Sequence, residues 1–207
     1  MKYDILIIGA GPAGLSFARS FKDTDLKVLV IEKASLEELR DPAPDGREIA
    51  MTHLSLKLMQ DLGAWARIPD ESISPIREAK VINGDSSYFL GFDSRNIDDG
   101  ALGYLVPNYE IRRAMFEEAA PLTNVEILTD TVVESLYTDE QSGHVRLSNG
   151  ETREATLIVA ADSRFSSSRQ AMGISSSMQD FAKTAIVCRM EHELPHEQIA
   201  WECFHYG

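Results

Sequence analysis

Gly9-Ala10-Gly11-Pro12-Ala13-Gly14 is a G-x-G-x-x-G string, and Glu32 stands about 20 residues beyond it. Each residue type has a physical reason at its place. Gly9 allows a tight turn, Gly11 lets backbone approach a pyrophosphate, and Gly14 lets a helix lie close on a strand. Pro12 suits the first turn of a helix, whose free N–H groups attract an anion. Glu32 can accept hydrogen bonds from a ribose and would repel a 2′-phosphate, so the pattern suits FAD or NAD better than NADP. Gly9, Gly11, Pro12, Ala13, Gly14, Glu32 and the adjoining Lys33 form the candidate cofactor-binding set. The competing explanation is an ordinary glycine-rich turn with Glu32 as a solvated charge, and the surrounding elements argue against it.

Those elements are legible. Ile5-Leu6-Ile7-Ile8, stopped by Gly9, is the short apolar run of a strand covered on both faces in a parallel sheet. Leu15, Ala18 and Phe21 recur at helical spacing until Asp23-Thr24-Asp25, and Val28-Leu29-Val30-Ile31 repeats the buried pattern. Lys2 to Glu32 is therefore a strand-helix-strand unit of about 30 residues with the glycines at its first turn. Met1 to Asp4 leads straight into the first strand without a small-residue cleavage site, so a signal peptide is not expected.

Further on, Ala34 to Gly46, with Pro42 and Pro44, reads as loop, and a helix is expected from near Glu48 carrying Leu54, Leu58, Met59 and Leu62 until Gly63. Ala79 to Ile82 and Tyr88 to Phe92 flank Asn83-Gly84-Asp85 as an antiparallel hairpin foreign to the parallel sheet. Asn108 is placed to cap a helix carrying Ile111, Met115 and Ala119, which Pro121 ends. Val125 to Leu128 predicts a third parallel strand, Val132 to Tyr137 with His144 to Leu147 a meander, and Leu157 to Ala161 a further buried parallel strand. The fold class is α/β.

Composition narrows the function. In 207 residues, 43% hydrophobic and 26% charged residues describe a globular chain, and Lys plus Arg at 20 against Asp plus Glu at 33 give a net charge of -13. That field repels phosphate backbones, so nucleic acid is not an expected partner. No stretch approaches the roughly 20 apolar residues of a membrane span. His53, His192 and His196 lack ligand spacing, so no metal is assigned. Ser163 and Ser166 to Ser168 show no nucleophile elbow. Cys188 and Cys203, too few for a disulfide framework, are expected to pack in strands as small hydrophobes.

Two further motifs carry a resemblance. Asp45-Gly46-Arg47-Glu48-Ile49-Ala50, ahead of a helix closing in Leu62-Gly63-Ala64-Trp65, is similar to the FAD-dependent aromatic-ring monooxygenases. Leu157 to Ser166, with Arg169 after it, resembles that family's strand-to-loop motif, usually Asp-Gly, near the FAD pyrophosphate. Asp45 to His53, Tyr104-Leu105-Val106-Pro107-Asn108 and Ala161 to Arg164 resemble the ubiquinone-biosynthesis hydroxylases, of the 5-demethoxyubiquinol 5-hydroxylase type. The resemblance implies a glutathione-reductase-like, Rossmann-like FAD/NAD(P)-binding domain over residues 1–66 and 108–175, with an inserted, incomplete antiparallel β substrate domain over 67–107 and 176–207. It also implies that Gly9, Gly11, Gly14 and Glu32 hold the ADP half of FAD. Arg47 and Arg112 would reach toward its pyrophosphate or ribityl chain, with Arg113 an alternative to Arg112. A guanidinium fork pairs well with phosphate, although an Arg on a polar loop is more often simply solvated. Asp162 would lie near the pyrophosphate and NAD(P)H. Ser163 stands where the family commonly has glycine, and Asp162 has a second explanation, capping Phe165 to Met172.

By that resemblance NAD(P)H reduces FAD, O2 adds at the flavin C4a, and the hydroperoxide hydroxylates a small aromatic or quinol substrate. The cofactor carries the oxygen chemistry, so no catalytic acid or base is assigned. A polyprenyl substrate implies access to a lipid surface or a ubiquinone-biosynthesis complex, for a protein expected in the cytoplasm or peripheral to the membrane. The family's third flavin motif, Gly-Asp followed by small residues, does not follow the Asp162 segment, so the chain is expected to be the N-terminal half of such an enzyme. Three functions stay open: ubiquinone-pathway hydroxylase, another flavin-dependent oxidoreductase, or an FAD-binding chain without turnover.

Overall fold

Val28-Leu29-Val30-Ile31 offers water no polar side chain, so such a run folds where both faces of a sheet are covered. The computed structural model describes residues 2–95, 97 and 99–204. In chain order its elements are β1 (Lys2–Ile8), α1 (Pro12–Arg19), β2 (Val28–Ile31), α2 (Leu36–Arg40), β3 (Glu48–Met51), α3 (His53–Asp61), β4 (Ser74–Ile76), β5 (Glu78–Asn83), β6 (Phe89–Asp93), β7 (Gly103–Pro107), α4 (Asn108–Ala119), β8 (Val125–Leu128), β9 (Val133–Thr138), β10 (Gly143–Leu147), β11 (Thr152–Ala160), α5 (Ser167–Ala171) and β12 (Ile199–Phe204). They form two compact units, Met1–Ala43 with Ile111–Ala185 and Pro44–Glu110 with Ile186–Gly207.

The first unit is built on a sheet of order β8-β2-β1-β11-β10-β9. β8, β2, β1 and β11 run parallel, whereas β10 is antiparallel to both β11 and β9. Ile5 lies beside Val28 and Leu6 beside Leu29, so alternate residues of both strands share a face. On one face Leu6, Ile8, Leu29 and Ile31 pack with Leu136, Val145 and Leu147 of the β9–β10 meander. α1 lies against β1 and β2. Leu6, Ile7, Leu29 and Val30 expose no surface, and each such burial contributes roughly 1.5–3 kcal/mol relative to exposure. α1 is tied to α4 by a largely buried pair, Arg19 donating from Nε (3.0 Å) and Nη2 (2.9 Å) to Glu118 Oε2.

Several expectations need correction. Leu157 in β11 is 50% exposed rather than buried. β10 pairs only with residues 152–155, so the rest of β11 has just β1 beside it among the described residues. The stretch from Ala34 to Gly46 is not all loop. α2 forms there because Ser35 and Glu38 close a reciprocal capping box, a sequence signal that was overlooked.

In the second unit β5 and β6 pair as the expected hairpin, with β12 alongside β5 in parallel, while β3, β7 and β4 make a separate antiparallel sheet. No helix starts near Glu48, because Glu48 to Met51 pairs with β7. The helix begins at His53, where Thr52 Oγ1 accepts from Ser55 N–H at 3.2 Å. Its buried residues are Leu56 and Met59, with Leu54 and Leu58 facing solvent. α4 starts at Asn108 itself. Neither cysteine packs in a core: Cys188 lies in the irregular stretch between α5 and β12, and Cys203 is exposed on β12.

Two glycines of the first turn have different steric surroundings, which makes a stability test. A Cβ on Gly14 would lie 2.0 Å from the Gly9 carbonyl oxygen, whereas one on Gly11 would meet nothing within 4 Å. Gly14→Ala is expected to cost about 1–3 kcal/mol or more, the range of overpacking, and Gly11→Ala under about 1 kcal/mol, the scale of a poorer helix cap. Urea unfolding measures both, and equal losses would show that α1 does not rest on the turn.

Candidate dinucleotide-binding site

The turn between β1 and α1 is held by contacts that leave no room for a side chain at Gly9. Gly9 has φ +107°, and its N–H donates to the Ile31 carbonyl at 2.8 Å, tying the end of β1 to the end of β2. A Cβ on Gly9 would stand 2.5 Å from the Ala161 carbonyl oxygen, so the turn is also closed from the side of β11. Gly11 is the N-cap of α1 with φ −72° and ψ 176°, and no side chain caps the helix. Pro12 follows in the first turn, which contains no acidic residue. The first-turn N–H groups of a helix have no intrahelical partner, and the helix dipole adds partial positive charge there. With open space above Gly11, this end of α1 fits a pyrophosphate.

Glu32 follows β2 and is fixed from several sides. Its Oε2 accepts from Ala10 N–H at 2.7 Å and its Oε1 from Ala34 N–H at 2.9 Å. Its own N–H donates to the Leu128 carbonyl at 2.8 Å, and its carbonyl accepts from Thr131 N–H at 3.0 Å. Each carboxylate oxygen therefore has a lone pair left for a ribose hydroxyl. A cavity of about 270 Å³ opens here, lined by Gly9, Glu32, Lys33, Val132, Asp162 and Phe165 among others. Four expected site residues, Gly9, Glu32, Lys33 and Asp162, thus meet at one cavity beside the glycine turn. Val132 and Phe165 were not anticipated, since an apolar residue at a strand or loop end carries no chemical signal in sequence.

Asp162 also shows its second explanation. Its Oδ2 accepts from Ser168 N–H at 3.1 Å in the first turn of α5. Burial raises its pKa, but hydrogen bonds from Ser166 and Ser168 outweigh that and hold the carboxyl below the usual range. Ser163 has φ +157°, next to the fully extended region, and its Oγ accepts from Phe165 N–H at 3.3 Å.

The arginines divide between the units. Arg112 lies on α4 in the first unit, near α2. Glu38 is held below its usual pKa first by the Ser35 N–H and hydroxyl, and the charge of Arg112 adds to this. Arg113 instead faces Glu117 one turn along α4, at 4.0 Å. Arg47 belongs to the second unit, in the turn before β3. There its Nε donates to Asp45 Oδ2 at 2.9 Å, and its Nη2 bonds the same oxygen. Asn108 Nδ2 donates to that oxygen as well, at 2.7 Å.

Arg47, helped by Asn108, holds the Asp45 carboxyl down to about 2, while Arg95 does the same for Asp93. Asp139 is likewise at about 2, through Gln141 N–H, His144 and Ser142 N–H. Unfolded, such groups titrate near 3.9. Their native interactions therefore stabilise the fold above that pH and are lost as pH falls through about 2. Thermal midpoints should drop between about pH 4 and pH 2, with a shallower slope in Asp45→Asn. The effect is modest because the pairs are exposed. An unchanged slope in the variant would show that the Asp45 pair does not form in solution.

Comparison with known proteins agrees with this geometry. Residues 2–202 match the family model described as an FAD binding domain. Over 99% of its length the chain is 50% identical to the ubiquinone hydroxylase UbiM of Neisseria meningitidis, covering 45% of that protein. It is 32% identical to UbiL of Rhodospirillum rubrum and 25% to the 3-demethoxyubiquinol 3-hydroxylase of Escherichia coli, in each case over 97% of the chain and covering 46% and 51% of those relatives. The chain spans about half the length of the curated relatives it matches. In fold it is similar to PqsL, a probable FAD-dependent monooxygenase from Pseudomonas aeruginosa, with a TM-score of 0.72 at 20% identity over 87% of the chain and 48% of PqsL. The uncapped start of α1, the glycine turn and Glu32 thus lie within the stretch matched by the family model, and the chain belongs to the FAD binding domain family.

Proposed function

We propose that the chain provides the FAD-binding function of an NAD(P)H-dependent monooxygenase that hydroxylates the quinol ring of a ubiquinone precursor. The observation that carries this reading is the 50% identity to a ubiquinone hydroxylase along 99% of the chain. Bound FAD supplies the redox chemistry, taking reducing equivalents from NAD(P)H and activating O2. The protein's part is to bind and orient. The first-turn N–H groups of α1, from Pro12-Ala13-Gly14, take the pyrophosphate, and Gly11 leaves room for it. Glu32 accepts hydrogen bonds from the adenosine ribose at the cavity it shares with Lys33. Arg47 and Arg112 are assigned to the pyrophosphate or ribityl chain, and Asp162 to the same end of the cofactor. No side chain is assigned as general acid or base.

A quinol with a polyprenyl tail is an amphiphile, which fits a protein working at a membrane surface or within a ubiquinone-biosynthesis complex. Among the described residues no helix is long and apolar enough to cross a membrane. A second reading is FAD binding without turnover, since the glycine turn, the start of α1 and Glu32 are groups that bind and orient a nucleotide.

Titration of the chain with FAD, followed by flavin fluorescence, tests the proposal. We expect saturable one-to-one binding, weakened about 10- to 100-fold in Glu32→Ala by loss of a charge-assisted hydrogen bond worth roughly 1.5–3 kcal/mol. Gly11→Ala should weaken binding while leaving stability nearly intact. No binding by a folded chain would overturn the flavin site. Binding without quinol-dependent NAD(P)H oxidation would favour the second reading over the first.

A further inference from the structure

We infer that Asp45 is a positioning residue that holds the Arg47 guanidinium in its cofactor-binding orientation, an inference resting on the assignment of Arg47 to FAD. Arg47 lies in a turn, and 59% of its side chain is exposed. A long exposed side chain of this kind samples many rotamers, and ordering it on ligand binding opposes affinity. Asp45 removes that freedom beforehand. Its Oδ2 takes the Nε and Nη2 hydrogens on one edge of the fork, and its Oδ1 accepts the Arg47 backbone N–H at 3.1 Å. A guanidinium has five N–H donors, and these two bonds leave Nη1 pointing away from the carboxylate edge.

Asp45 is itself anchored. Asn108, at the start of α4, donates from Nδ2 to Asp45 Oδ2 at 2.7 Å and from its backbone N–H to the Arg47 carbonyl at 2.9 Å. Gly46, at φ +72°, turns the chain between the two partners. Glu48 then pairs with Pro107, so the turn and the start of α4 are held by the same β3–β7 ladder. A carboxylate in this place has two opposite effects on phosphate binding. It orders the fork, which strengthens binding, and it offsets the Arg charge, which weakens it. The bonds that hold Asp45 on both sides favour the ordering effect, since a simple counter-charge needs no such anchorage.

The experiment is a double-mutant cycle on the FAD dissociation constant, with thermal midpoints recorded for every variant. Asp45→Asn is expected to weaken FAD binding about 3- to 10-fold in the otherwise unchanged chain and to have no effect in Arg47→Ala. A merely structural role would weaken binding equally in both backgrounds. Tighter or unchanged binding in Asp45→Asn, or an equal loss in both backgrounds, would overturn the inference while leaving Arg47 as an FAD residue. Unchanged affinity in Arg47→Ala would overturn the assignment of Arg47 itself. Should Asp45→Asn fail to fold, Asp45→Glu, which keeps the charge and displaces it by one methylene, gives the same cycle.

Discussion

The structure around the candidate site depends on how closely three stretches of backbone approach at the end of β1. α1 lands on the turn where Gly14 meets the Gly9 carbonyl, and Gly9 in turn faces the Ala161 carbonyl at the end of β11. Neither contact has room for a methyl group. Close-packed interiors do not absorb such displacements, so the direction of α1, the level at which β2 delivers Glu32 and the place where β11 delivers Asp162 are set together. The hydrogen bond from Gly9 to Ile31 completes the arrangement by tying the turn to the strand that carries Glu32.

The electrostatics follow from that geometry. In a chain with a net charge of -13, the first turn of α1 holds no acidic residue, so its backbone N–H groups keep a locally positive end that an anion could meet. Glu32 is near enough to the turn to bond Ala10 N–H, and a loose carboxylate so close would itself be drawn to the helix N-terminus. Its two bonds to Ala10 and Ala34 hold it at the cavity beside Gly9. The same economy of backbone contacts recurs in the second unit, where Asp45, Arg47 and Asn108 satisfy one another through side-chain and main-chain bonds.

Much of this was legible in the residues. The β1–α1–β2 unit, the β5–β6 hairpin and the parallel strands β8 and β11 announce themselves by period and by turn chemistry, because those signals are local. The failures were of two kinds. Glu48 to Met51 was assigned to a helix because its partner strand, β7, lies more than 50 residues away, and a strand's identity resides in its pairing. The exposure of Leu157 and Cys203 was missed because an apolar residue in a strand says nothing about whether a second layer covers it.

The sequence by itself marked the candidate nucleotide-binding turn. The order of three glycines, a helix-starting proline and an acid one strand later is a short-range pattern, each member required by a steric or electrostatic demand of its own position. Only the tertiary structure decided which distant residues complete the site. The approach of Ala161 and Asp162 to Gly9 and the lining of the cavity at Glu32 by Val132 and Phe165 join segments far apart in the chain, as does, within the second unit, the anchoring of Asp45 by Asn108. Such contacts are fixed by sheet order and strand register, which depend on the packing of the whole unit and leave no mark on the residues nearby.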